Sequence, residues 1–93
     1  MREREIESEF TRAAIAVGGL PRKLDFGEGW PDRMVLFPGG RVEFVELKRP
    51  KGGVLSPLQA KNLATLAGLG FQTYVAWNSE DIKRWKEEHG QHD

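Results

Sequence analysis

Trp30 to Lys48 reads WPDRMVLFPGGRVEFVELK, and the fold follows from how this stretch is divided. Met34–Phe37 is an apolar run and Arg41–Lys48 an alternating one. Between them Pro38-Gly39-Gly40 supplies a tight turn whose glycines accept positive φ. The two runs therefore form a β-hairpin. With a two-residue period, Val42, Phe44, Glu46 and Lys48 share one face of the second strand, and Glu43, Val45, Leu47 and Arg49 the other. Asp32 stands just before the first strand, so pairing through the turn brings it opposite Glu46.

Working outward, residues 2–17 carry Ile6, Phe10, Ala13, Ala14 and Val17 at helical spacing and stop at Gly18-Gly19. Glu3, Glu5, Glu7 and Glu9 crowd its first turns, where the helix dipole favours negative charge. Glu3 and Glu7 also sit one turn apart at the edge of the apolar stripe, from which either can lean toward a site. Leu20–Leu24 is a short strand suited by Pro21 to an edge, and Asp25–Pro31 is a loop containing Trp30, either a core plug or a platform for a nucleobase.

Beyond the hairpin, Pro50–Val54 is a basic glycine loop. Ser56-Pro57 then caps and opens a helix with a leucine stripe that stops at Gly68 or Gly70. Gln59 falls in its first turn, facing either solvent or the end of the preceding strand. Phe71–Trp77 is a fourth strand, expected parallel to its predecessor with a right-handed crossover. Asn78 or Ser79 caps a last helix that runs through Trp85 and beyond, and its polar end, residues 86–93 with His89 and His92, is expected to fray. The order α-β-β-β-α-β-α predicts one α/β domain over residues 1–93, built on a mixed sheet of about four strands.

Composition narrows the function classes. The chain has 93 residues, 39% hydrophobic and 30% charged, with no apolar run near the length of a bilayer span and no secretory leader pattern at its start. A cytoplasmic location, for a phage-encoded protein or one of the bacterial cell interior, is the default expectation. With no cysteine, disulfides and thiolate metal sites are excluded. Fourteen basic residues balance 14 acidic ones, a mild argument against a phosphate-gripping surface, but carboxylates gathered for a cation are neutralised once it binds.

Two acids meeting across a ladder repel each other unless a cation lies between them. Oxygen donors without cysteine or histidine select Mg²⁺ or Mn²⁺. The carbonyl of Leu47 is a candidate third ligand. Lys48, on the face of Glu46, is placed to orient or deprotonate an attacking water or to offset charge building on a phosphorus centre. The chemistry this predicts is metal-assisted phosphodiester hydrolysis, with Lys23, Arg33, Arg49 and Lys51 as candidate DNA contacts. A surface ion pair between Glu46 and Lys48 is the plainer alternative.

Pro31-Asp32 followed by Glu46-Leu47-Lys48 resembles the PD-(D/E)xK nuclease superfamily. The fuller string GWPDRMVLFPGGRVEFVELKRP with LSPLQ resembles the stand-alone, virus-type VRR-NUC domains. That resemblance implies a restriction-endonuclease-like core and a Mg²⁺- or Mn²⁺-dependent endonuclease related to Holliday-junction resolvases. In residues, it implies Asp32 and Glu46 as metal ligands, Lys48 as catalytic lysine, Gln59 at the edge of the site, and an acid from the first helix, Glu3 before Glu7. It further implies a phage-type homodimer acting on branched DNA. A non-catalytic module binding DNA or a partner on the same fold is the alternative.

Overall fold

A computed structural model of the chain describes residues 3–49 and 51–90. The element order is α1 (Glu3–Ala16), β1 (Leu20–Lys23), β2 (Arg33–Phe37), β3 (Arg41–Leu47), α2 (Pro57–Gly68), β4 (Gln72–Ala76) and α3 (Ser79–Gly90), as the periodicities predict. The four strands form one sheet in the order β1-β2-β3-β4. The first three pair antiparallel, and β3 and β4 pair parallel across α2.

The alternation of β2 and β3 gives the sheet two buried faces. On one, Val35, Phe37, Val45, Leu47 and Ala76 meet Ile6, Phe10, Ala13 and Ala14 of α1 and Ile82 and Trp85 of α3. Ile6, Phe10, Ile82 and Trp85 are almost wholly buried, each contributing roughly 1.5–3 kcal/mol from removal of apolar surface. The Phe10 and Trp85 rings lie 4.9 Å apart. On the other face Phe44 is buried and meets Phe71 edge-on at 5.2 Å, on the side where α2 buries Leu63 and Leu66. The result is a sheet between two helix layers, with α1 and α3 on one side and α2 on the other.

Each boundary has a local cause. α1 stops where Gly18 takes φ +86 and Gly19 donates to the Ala14 carbonyl at 2.9 Å. Gly19 itself must be glycine, since a Cβ there would meet Val35 Cγ1 at 2.5 Å. Asn78 Oδ1 accepts from Asp81 N–H at 3.0 Å, and Asp81 Oδ2 accepts from Trp77 N–H at 2.8 Å, so the start of α3 is capped from both sides.

The end of α3 departs from the sequence expectation. Rather than fraying from residue 86, the helix continues to Gly90. His89 is the reason: it packs on Phe37 and Trp85 at ring distances of 5.4 and 4.1 Å. Its Nε2 lies 2.7 Å from Glu43 Oε2, while Glu43 Oε1 accepts from Trp85 Nε1–H at 2.6 Å. Residues 91–93, with His92, lie outside the described residues. Removing the Glu43 carboxylate leaves a buried indole N–H and an imidazole without their acceptor. Glu43→Ala is therefore expected to cost roughly 2–4 kcal/mol, with Glu43→Gln costing less, as read from urea unfolding.

Candidate active site

The site begins with strand register. Arg33 pairs with Val45, which sets Asp32 and Glu46 opposite each other at the end of the β2–β3 ladder. Two main-chain donors fix the carboxylates in that position. Asp32 N–H donates to Glu46 Oε1 at 3.2 Å, and Leu47 N–H donates to Asp32 Oδ1 at 3.3 Å. Each acid thus accepts from main chain at the other's strand end, Glu46 from Asp32 itself and Asp32 from the residue after Glu46, which continues the ladder with side chains.

Glu46 is only 5% exposed although it carries a carboxylate. Its Oε2 lies 3.0 Å from Lys48 Nζ and accepts from Gln59 Nε2–H at 2.9 Å. Lys48 Nζ in turn donates to Gln59 Oε1 at 2.7 Å, closing a triangle. The same Gln59 Oε1 accepts from Ser56 N–H, while Ser56 Oγ accepts from Gln59 N–H, the reciprocal capping box of α2. Gln59 is therefore a helix cap and a partner of the acid and the lysine at once. Lys48 N–H donates to the Ala76 carbonyl at 2.9 Å, which ties this strand end to β4.

Asp32, Glu46, Leu47 and Lys48 line a cleft of about 310 Å³ whose other wall is Arg49, Gly52, Gly53 and Val54. The loop folds back because residue 53 has no side chain: a Cβ there would lie 2.4 Å from the Arg49 carbonyl. Arg49 at this wall is exposed, as is Lys51 on the same loop, so both are open to a polyanion. Pro50 lies outside the described residues. Lys23 is exposed too, but it lines a separate concavity between α1 and β1 with Arg12 and Glu7.

Two expected site residues are placed differently. Arg33, read in the sequence as a DNA contact, is 6% exposed and paired with Glu7 at 3.2 Å. Glu7, read as a helix acid leaning into the site, is held by that pair instead. Arg33 shares its face of β2 with Val35 and Phe37, so the two-residue period turns it toward the core; its partner on α1 was not foreseeable. Glu3 opens α1, but its side chain is not among the described ones. Glu9 accepts from Ser79 Oγ, linking α1 to α3 away from the cleft. Trp30 is partly buried, with Phe26 edge-on to it at 6.5 Å, and it is Phe26 that is exposed, at 56%.

The electrostatics reflect crowding. Burial, and then the neighbouring Glu46 charge, push the Asp32 carboxyl from 3.8 up to about 6. Among the described residues no third acid or histidine joins the pair. The oxygen-only donor set, with two carboxylates forced together and one reluctant to ionise, suits a hard divalent cation.

A solved structure titled "VRR_NUC domain" superimposes with a TM-score of 0.81 at 26% identity, covering 91% of this chain and 94% of that one. The fold is thus the α/β nuclease fold of the PD-(D/E)xK type. "Putative nuclease p44" of Acyrthosiphon pisum secondary endosymbiont phage 1 is 36% identical over 84 residues, 88% of each chain. No family model matches the chain. The chain belongs to the stand-alone VRR-NUC nucleases.

The raised carboxyl sets a pH dependence for stability. Between pH 3.8 and about 6 the folded protein holds a proton on Asp32 that the unfolded chain has released. The Asp32 contribution therefore falls as pH rises through that window and is fully unfavourable above it. In metal-free protein, Asp32→Asn is expected to raise Tm at pH 7.5, with the gain shrinking to nothing as the pH is taken below 4; thermal melts across this range check it.

Proposed function

We propose that the protein is a metal-dependent, structure-selective DNA endonuclease that hydrolyses phosphodiester bonds in branched DNA such as Holliday junctions. The observation that carries this reading is the pairing of Asp32 and Glu46 at one strand end, with Lys48 and Gln59 bonded to the second acid. Asp32, Glu46 and the Leu47 carbonyl would hold Mg²⁺ or Mn²⁺. Such an ion, when bound, supplies Lewis-acid polarisation of the phosphodiester and neutralises the charge of its reacting oxygens.

The side chains divide the remaining tasks. Glu46 orients Lys48, and Gln59 keeps the ammonium from collapsing fully onto the carboxylate by offering it a second acceptor. Lys48 then orients an attacking water or offsets charge developing on the scissile phosphate. Arg49 and Lys51, exposed on the loop that forms the second wall, and Lys23, on the far side of the Asp32 strand, receive flanking phosphates. The absence of a net basic excess leaves DNA binding reliant on this local clustering.

A symmetric branched substrate calls for two sites, and a 93-residue chain that exposes Phe26, Leu58 and Phe71 has apolar surface left for a second copy. Purified protein is expected to elute as a homodimer in light-scattering chromatography; a monomer at all concentrations removes that part of the proposal. Supplied with Mg²⁺ or Mn²⁺, it is expected to cut four-way junctions in preference to linear duplex. Asp32→Ala and Lys48→Ala should each abolish cutting while melting cooperatively, and cutting retained in both variants would overturn the mechanism.

A further inference from the structure

Arg33 is a buried guanidinium that the nuclease reading leaves without a task. Two bonds account for its position. Nη2 lies 3.2 Å from Glu7 Oε1 on α1, and Nη1 donates to the main-chain carbonyl of Asp32 at 2.9 Å. Burying a guanidinium gives little net stability even when it is paired, because desolvation offsets the attraction. What it offers over an apolar side chain is a rigid fork that bonds two fixed acceptors at once.

Here the fork joins helix α1 to the peptide that carries Asp32. The same carbonyl accepts from Leu24 N–H at 2.9 Å, and Asp32 N–H donates to Glu46. The backbone of Asp32 is therefore held from the residue that follows β1, from β3 and, through Arg33, from α1. At a strand end, where the ladder no longer continues, a third restraint limits rotation of that peptide and hence the direction of the carboxylate.

We infer that Glu7 and Arg33 form a positioning clamp that fixes Asp32 against Glu46 for a divalent cation, an inference that rests on the nuclease reading of those two acids. Neither clamp residue touches the reacting atoms. Glu7 acts by aligning the guanidinium, and Arg33 by holding the Asp32 carbonyl.

The experiment is a double-mutant cycle with Glu7→Gln, Arg33→Lys and the double variant. It reads Mn²⁺ affinity by calorimetry, metal-free junction binding, and kcat and KM for cleavage. Lysine keeps the charge but not the two-acceptor fork, and Glu7, a third exposed as a side chain, tolerates the amide without loss of fold. Each single variant is expected to weaken Mn²⁺ binding about tenfold and to lower kcat similarly, with KM and metal-free binding unmoved. The double variant should be no weaker than the worse single one, since both break one device. Additive losses would make Glu7 an independent ligand and overturn the clamp. Loss confined to KM and metal-free binding in Arg33→Lys would make Arg33 a DNA contact, and unchanged Mn²⁺ affinity in every variant would remove the clamp altogether. Wild-type protein that neither binds Mn²⁺ nor cuts DNA would sink the nuclease reading, and the clamp with it; wild-type protein that does both confines any failure to the clamp.

Discussion

Two carboxylates brought face to face at the end of a β-ladder repel each other, and most of what surrounds Asp32 and Glu46 holds them there nonetheless. Each accepts a main-chain N–H from the other's strand, so the contact is as firm as the ladder itself. Its electrostatic cost shows in Asp32, whose carboxyl is pushed up to about 6 by burial and by Glu46. The two carboxylates face each other as a result of folding itself, with no further rearrangement of the strand ends.

Support for the pair comes from elements that have structural work of their own. The first turn of α2 is closed by Ser56 and Gln59, and the same Gln59 side chain bonds Glu46 and Lys48. A helix start, one of the few places where polar side chains are routinely buried, thereby lies against the end of β3. The loop after β3 turns back closely enough that only glycine fits at position 53, which gives the cleft its second wall.

β3 also shows how one strand carries two buried acids to different ends. Glu43 faces the α1–α3 layer, where Trp85 and His89 satisfy both of its oxygens, and no acid opposes it across the ladder. Glu46 faces the α2 side and opens on a cleft opposite another acid. Burial is nearly equal in the two, at 6% and 5% exposed, so burial does not separate a structural carboxylate from a candidate ligand. The partner across the ladder does: Val35 for Glu43 and Asp32 for Glu46.

The sequence by itself determined the hairpin, the strand-helix-strand unit, the Ser56 cap and the juxtaposition of Asp32 with Glu46 and Lys48, because each depends on residues close in the chain and on periods of 2 and 3.6. It also carried the PD-(D/E)xK resemblance. Tertiary structure alone decided which long side chains meet across layers. Glu7 and Arg33 are 26 positions apart in numbering, and Glu43 and His89 lie on different elements of the far face; nothing local says which partner each one takes. Arg33 in particular read as a phosphate contact until β2 buried it beneath α1, and His89 read as part of a loose tail until the core offered it an aromatic wall and a carboxylate. A charged residue's partner is set by how helices settle on a sheet, and that packing is a property of the whole chain.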